Sequence, residues 1–312
     1  MESLQTTKTR LKAVKNVGQI TKAMEVVAAT KMRRAQEAAL NTRPYAYEAL
    51  KILARVIGSS ALAIPLSADR PVKKTLVMIL ASDKGLAGSF NGQVFKLADH
   101  FLATDEKVLD EKHEYLLAVV GKKAQNYASK KSYRSVGSFD NNLDINDPSE
   151  VGDIAELLVG GFLRGEWDRV VTISTHFRTA LKQEPLVRQI LPISIDKIKE
   201  TIREIVPEHG RYSEEKIEIN GNGKKEEIEY IFEPSPLAVL EALMPHLVGM
   251  QIYHLFLEAK ASEHSARRVA MKTASDNAIE LGDALTMEYN KARQVGITRE
   301  LAEITTTIMT LE

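Results

Sequence analysis

Leu11-Lys12-Ala13-Val14-Lys15-Asn16-Val17-Gly18-Gln19-Ile20-Thr21-Lys22-Ala23-Met24-Glu25-Val26-Val27 decides the architecture of the chain. Leu11, Val14, Val17, Ile20, Met24 and Val27 recur in steps of three or four, with Lys12, Lys15, Lys22 and Glu25 off the stripe. That spacing describes one face of a helix. The pattern runs on more weakly through the alanine-rich stretch Ala28 to Ala39 and resumes from Tyr45 to Ile57, beyond Pro44, a potential kink. A helix of about 55 residues would reach ~80 Å, far longer than an ordinary member of a compact core.

The other end of the chain carries a matching signal. Leu240, Leu243, Leu247, Met250, His254, Leu257 and Ala261 fall at heptad-like steps of three and four, and after Pro245 there is no glycine-proline punctuation that would end the helix before about Gly296. Neither stripe can be buried alone, so the two helices are expected to pair with each other.

Between them the pattern changes to α/β. Thr75 to Ala81, Tyr115 to Val120 and Val170 to Ser174 are short apolar runs suited to buried strands, separated by helical patterns around Val94 to Leu102, Gln125 to Lys130 and Ile154 to Arg164. This alternation predicts a small, largely parallel sheet flanked by helices. The expected division is a helix over 1–57, an α/β domain over 74–195, a charged surface excursion over 196–233 with a hairpin at Asn220-Gly221-Asn222-Gly223, and a second helix over 237–312.

Composition excludes several chemistries. The 312 residues contain no cysteine, which rules out disulfides and thiolate chemistry, and Lys plus Arg balances Asp plus Glu at 42 each. Charge is nevertheless unevenly spread: residues 1–57 hold eleven basic side chains against Glu2, Glu25, Glu37 and Glu48. This basic stripe lacks interleaved aromatics, so a partner-facing surface is expected and nucleic acid is not. No run approaches the length of an apolar membrane span.

Ser82-Asp83-Lys84-Gly85-Leu86-Ala87-Gly88-Ser89 occupies the strand-to-helix position of a phosphate loop but fits neither the P-loop nor the dinucleotide pattern. A tight structural turn is the better reading, and no cofactor is expected. None of the seven histidines lies in a zinc-protease motif; His254 and Glu258 read as an i, i+4 pair on a helix surface. Ser82 and Ser174 lie outside any serine-hydrolase elbow, so no catalytic residue and no metal site is expected.

The residues of both helices carry a resemblance. Asn16 to Gln36 is similar to the amino-terminal helix of F-type ATP synthase gamma subunits, Ser82 to Asn91 to their first strand-to-helix turn, and Ser262 to Ala278 to their carboxyl-terminal helix. Tyr289 to Gln294 and Ile297 to Ile304 add two further stretches in the right order. The chain departs from the family pattern at Thr307-Ile308, where Gly-Ala is usual, and at Ala87, often a cysteine; the cysteine-bearing regulatory insertion of plant-type members is absent.

The resemblance implies a long antiparallel coiled coil of the terminal helices with an inserted Rossmann-like α/β domain, acting as a non-catalytic rotor that couples transmembrane ion flow to ATP synthesis. Its implied partners are the alpha and beta subunits of the catalytic ring, the epsilon subunit and the membrane c-ring. The implied location is peripheral, on the cytoplasmic face of the bacterial inner membrane. Arg293 and Gln294 match a pair that contacts a beta-subunit loop, Met24 lies where the rod passes a beta-subunit lever, and Ile304, Ile308 and Leu311 belong to an uncharged shaft tip.

Overall fold

The computed structural model describes residues 4–59, 66, 70–105, 113–141, 147–193 and 233–309. Its elements are α1 (Leu4–Ser59), β1 (Lys74–Leu80), α2 (Phe90–Asp105), β2 (Glu114–Val120), α3 (Lys122–Lys130), β3 (Ser135–Phe139), α4 (Gly152–Leu163), β4 (Arg169–Phe177), β5 (Gln183–Leu191) and α5 (Pro236–Met309). Two compact units result, one of Met1–Ala29 with Arg267–Glu312 and one of Thr30–Ala266. Helix α1 continues through Pro44, and α5 continues through both Pro245 and Gly296. Residues 196–232 of the expected excursion lie outside the described residues.

The larger unit is built on a five-stranded sheet ordered β3-β2-β1-β4-β5, with β1 parallel to β2 and β4, β2 parallel to β3, and β5 antiparallel to β4. Six of the seven β1 residues are buried, because helices cover both faces of the sheet. Alternation along the strands separates the two cores. Val77, Ile79, Leu117 and Val119 face α2 and α3, where Val94, Ala98, Ala124 and Tyr127 meet them. Leu76, Met78, Leu116 and Ala118 face the opposite layer, made by α4 together with Met244 to Ala259 of α5.

That second layer corrects one expectation. The stretch of α5 from Gln251 to Ala259 is buried at every position, so a long helix does serve here as a wall of a compact core. Its stripe residues Leu247 and Leu257 pack in the same cluster as the sheet residues. The three expected strands are present, but β3 and β5 are additional. Both are edge strands, partly exposed, with polar residues or proline breaking the apolar run that marks a central strand.

Candidate functional site

In the smaller unit the terminal helices pair antiparallel. A Cβ placed on Gly18 would lie 3.3 Å from the Cβ of Ala278, and one on Gly282 would lie 4.0 Å from Val14. On α1, up to Ala29, the buried or half-buried positions are Leu4, Thr7, Leu11, Val14, Gly18, Thr21, Met24, Glu25, Ala28 and Ala29; on α5 they include Met271, Ser275, Ala278, Gly282 and Leu285. Apart from the adjoining Glu25 and Ala29, both sets step by three and four, as a coiled-coil seam requires. The seam differs from the expected one. Val17, Ile20 and Val27, read as core positions, are 52%, 59% and 55% exposed.

The reason is steric. Small residues at Gly18, Ala278 and Gly282 let the two backbones approach closely, so the seam runs through them and through Leu11, Val14, Met271 and Leu285, and Val17, Ile20 and Val27 are left on the outer side. Thr21 is accommodated because its hydroxyl donates to the carbonyls of Val17 and Gly18 in its own helix. The narrow waist leaves a groove of about 600 Å³ lined by residues including Val14, Gly18, Gln19, Asp276 and Ile279. The hydrogen bond from Lys22, at 2.9 Å, holds the Glu25 carboxyl below the ordinary carboxylate range against the opposing effect of burial, with Lys272 and Arg268 of the facing helix adding to it.

Many of the pair's large apolar residues therefore point outward. Besides Val17, Ile20 and Val27, the α5 positions Ile279, Met287, Val295, Ile297, Leu301 and Ile304 are exposed. Met24 is half-buried at the seam spacing between Thr21 and Ala28, and Arg293 and Gln294 are exposed on α5 next to Val295. Ile304 is exposed in the last turns, whereas the side chain of Ile308 and the whole of Leu311 lie outside the described residues. Thr305 and Thr306 donate their hydroxyls to the carbonyls of Leu301 and Ala302, at 2.8 Å each, so these side chains bond back to their own helix. Of the basic positions near Met24, Lys22 is held by Glu25 and Arg33 by Glu37, while Lys31 and Arg34 are exposed.

The glycine-containing turn after β1 is occupied by its own hydrogen bonds. Asn91 accepts from the Ser82 backbone at 3.0 Å and donates to the Ser82 hydroxyl at 2.8 Å. Asp83 accepts from the backbone of Lys122 at 3.0 Å, at the start of α3, and from that of Asn141 at 3.2 Å. A carboxylate thus holds the Lys122 amide at the start of α3, where it would repel a second anion. Gly121 is required beside it: φ is +90°, and a Cβ would lie 2.2 Å from the Ala81 carbonyl oxygen. Ser82 and Ser174 are both buried. Among the described residues no group of three or more His, Cys, Asp or Glu is arranged to hold a metal ion, and no helix is long and apolar enough to cross a membrane.

A second polar constellation lies inside the larger unit. Glu258 Oε1 meets His176 Nδ1 at 3.1 Å, and Glu258 Oε2 accepts from Arg188 Nη1 at 2.9 Å. The three side chains are no more than 10% exposed. One turn earlier on α5, His254 Nε2 lies 3.3 Å from the Thr42 hydroxyl of α1. Burial, the largest influence, pushes the Glu258 carboxyl up, but Arg188, His176 and His254 together hold it below its ordinary range. This corrects the surface reading of His254 and Glu258: α5 crosses the sheet at these positions, and its inner side needs charged partners there. The i, i+4 spacing marks the pair in the sequence; its partners, on strands some 70 to 82 residues away, leave no local signal.

Comparison with known proteins places these observations in a family. The ATP synthase family model matches residues 3–311. The chain is 38% identical over 309 residues to the ATP synthase gamma chain of Opitutus terrae and 35% identical over 306 residues to that of Prosthecochloris aestuarii, covering 97% of each chain in both cases. Among solved structures it resembles a chain of the Euglena gracilis mitochondrial ATP synthase, with a TM-score of 0.60 at 20% identity, over 99% of this chain and 94% of that one. At that identity the structural likeness concerns the fold.

Proposed function

The chain belongs to the ATP synthase gamma-chain family and is a non-catalytic central-stalk subunit of a rotary ATP synthase; from that premise we propose that its paired terminal helices turn inside the ring of alpha and beta subunits, while the α/β unit engages the epsilon subunit and the membrane c-ring. On this reading the complex sits at the cytoplasmic face of a bacterial inner membrane, with this chain peripheral to it.

One observation carries the proposal: the helix pair closes through a seam of small residues with Leu11, Val14, Met271 and Leu285, and leaves many other large apolar residues exposed. A free surface bearing Val17, Ile20, Ile279 and Leu301 would favour association, and an enclosing apolar collar satisfies it. Contacts of this kind are non-directional, so they change little as the rod turns. The threonines of the last turns reinforce this, since their hydroxyls already bond within α5. Because the outward residues differ around the rod, each of the surrounding catalytic sites meets a different face, and rotation moves every site through each state in turn.

Met24 and Arg293-Gln294 are the residues proposed to touch beta subunits. A flexible, uncharged thioether lets a surface slide, whereas a guanidinium fork suits a carboxylate at a defined angle. Met24→Lys should leave the complex assembled and hydrolysing ATP but lower ion pumping per ATP, with partial recovery as ionic strength rises. Arg293→Ala with Gln294→Ala should reduce both ATP synthesis and hydrolysis. Normal pumping in the first variant and normal turnover in the second would remove these contact assignments.

A further inference from the structure

Residues 254–265 of α5 carry an unusual density of directional bonds to the rest of the larger unit. Glu258 joins Arg188 on β5 and His176 on β4, and Arg188 Nη2 also lies 3.2 Å from His176 Nδ1. Lys260 donates to the carbonyl of Asn141, just beyond β3. Ser262 donates to the carbonyl of Thr175 on β4 at 3.4 Å, and Ser265 to that of Ala180, in the β4–β5 turn, at 2.6 Å. His254 adds the contact with Thr42 of α1.

This arrangement is more than packing requires. The adjoining face of α5, from Met244 to Leu257, is already held by an apolar core. Apolar contact resists separation of a helix from a sheet, but it resists sliding and rolling poorly, since one leucine-lined ridge resembles the next. Packed helices can ratchet past a neighbour by a turn at a time. A buried carboxylate bonded from two strands has no equivalent position one step along the helix. A shift of α5 would break the bonds of the buried Glu258 to Arg188 and His176, and buried ionic groups are best attested as setters of register.

Resting on the reading of this chain as a rotor, we propose that the Glu258–Arg188–His176 cluster, with Lys260, Ser262 and Ser265, is a register lock through which torque passes between the sheet of the α/β unit and α5. Its function is mechanical: it fixes the rotational and axial setting of α5 under load, while the apolar core supplies cohesion.

The test removes the charges together, so that no ion is left buried alone. In Arg188→Met, Glu258→Leu, His176→Leu, assembly, melting temperature and ATP hydrolysis without a gradient should match the unaltered complex. ATP-driven pumping against an opposing ion gradient should be lost progressively as the gradient grows. The chain has no cysteine, so Gln183→Cys with Ser265→Cys, bridged by a bifunctional thiol reagent, can tie β5 to α5 covalently in the same background. That bridge should restore pumping against the gradient. Pumping equal to the unaltered complex, or a loss the bridge does not repair, would overturn the lock. If the triple variant fails to assemble, Arg188→Lys keeps the charge and gives up the fork, and it is read in the same way: impaired pumping under load supports the lock and normal pumping overturns it. Failure of the unaltered chain to restore a complex lacking its gamma subunit would instead count against the rotor reading.

Discussion

Glu258 illustrates how a single side chain links stability to pH. Its folded-state pKa is depressed, so its ionisation stabilises the fold above the unfolded carboxyl value of about 4.3 and the contribution is lost as pH falls through the lower folded value. Glu258→Gln should therefore be less stable than the unaltered chain near neutral pH, with the difference shrinking as pH drops below about 4.3. Denaturant melts at several pH values would show this; a gap constant with pH would mean that the carboxylate charge does not stabilise the fold. Removing the group outright, as in Glu258→Leu alone, takes the carboxylate from the buried Arg188 guanidinium and should cost about 3–5 kcal/mol. Little of this was legible in the sequence. His254 and Glu258 could be seen as a helical pair, but burial and the arrival of Arg188 and His176 depend on β4 and β5 meeting α5, contacts that no local pattern encodes.

Within the elements, periodicity located the long helices and the three central strands, because apolar runs and heptad spacing follow directly from burial on two faces or one. It placed the seam only in part. Counting large apolar residues selected Leu11, Val14 and Met24, which are half-buried, together with Val17, Ile20 and Val27, which are exposed, and passed over Gly18, Thr21, Ala28, Ala278 and Gly282. Large apolar residues mark a face that will be buried by something, and for Val17, Ile20 and Val27 that something is not α5. Edge strands β3 and β5 were missed for a related reason: they need bury less, and so tolerate the polar residues and Pro185 that obscure them. The seam makes a sharp prediction. Gly18→Leu adds a side chain where even a Cβ would lie 3.3 Å from that of Ala278 and should destabilise the helix pair by about 1–3 kcal/mol, whereas Ile20→Gln, at an exposed position, should leave the isolated chain's stability nearly unchanged and weaken assembly with the ring. Thermal melts of the isolated chain, paired with co-purification, separate the two effects. Equal destabilisation by both substitutions would contradict the assigned faces.

For the whole molecule, the division of labour follows from two kinds of surface. Non-directional apolar contacts face outward from the helix pair, where turning is proposed, and directional charged bonds hold α5 to the sheet, where slipping would waste torque. The most direct test is to watch the chain turn. With the alpha–beta ring fixed to glass and a bead attached to Leu181→Cys, an exposed position in the β4–β5 turn, added ATP should drive the bead in one direction with three pauses per turn, one for each catalytic site. A bead that remains stationary while the same complexes hydrolyse ATP would contradict the account.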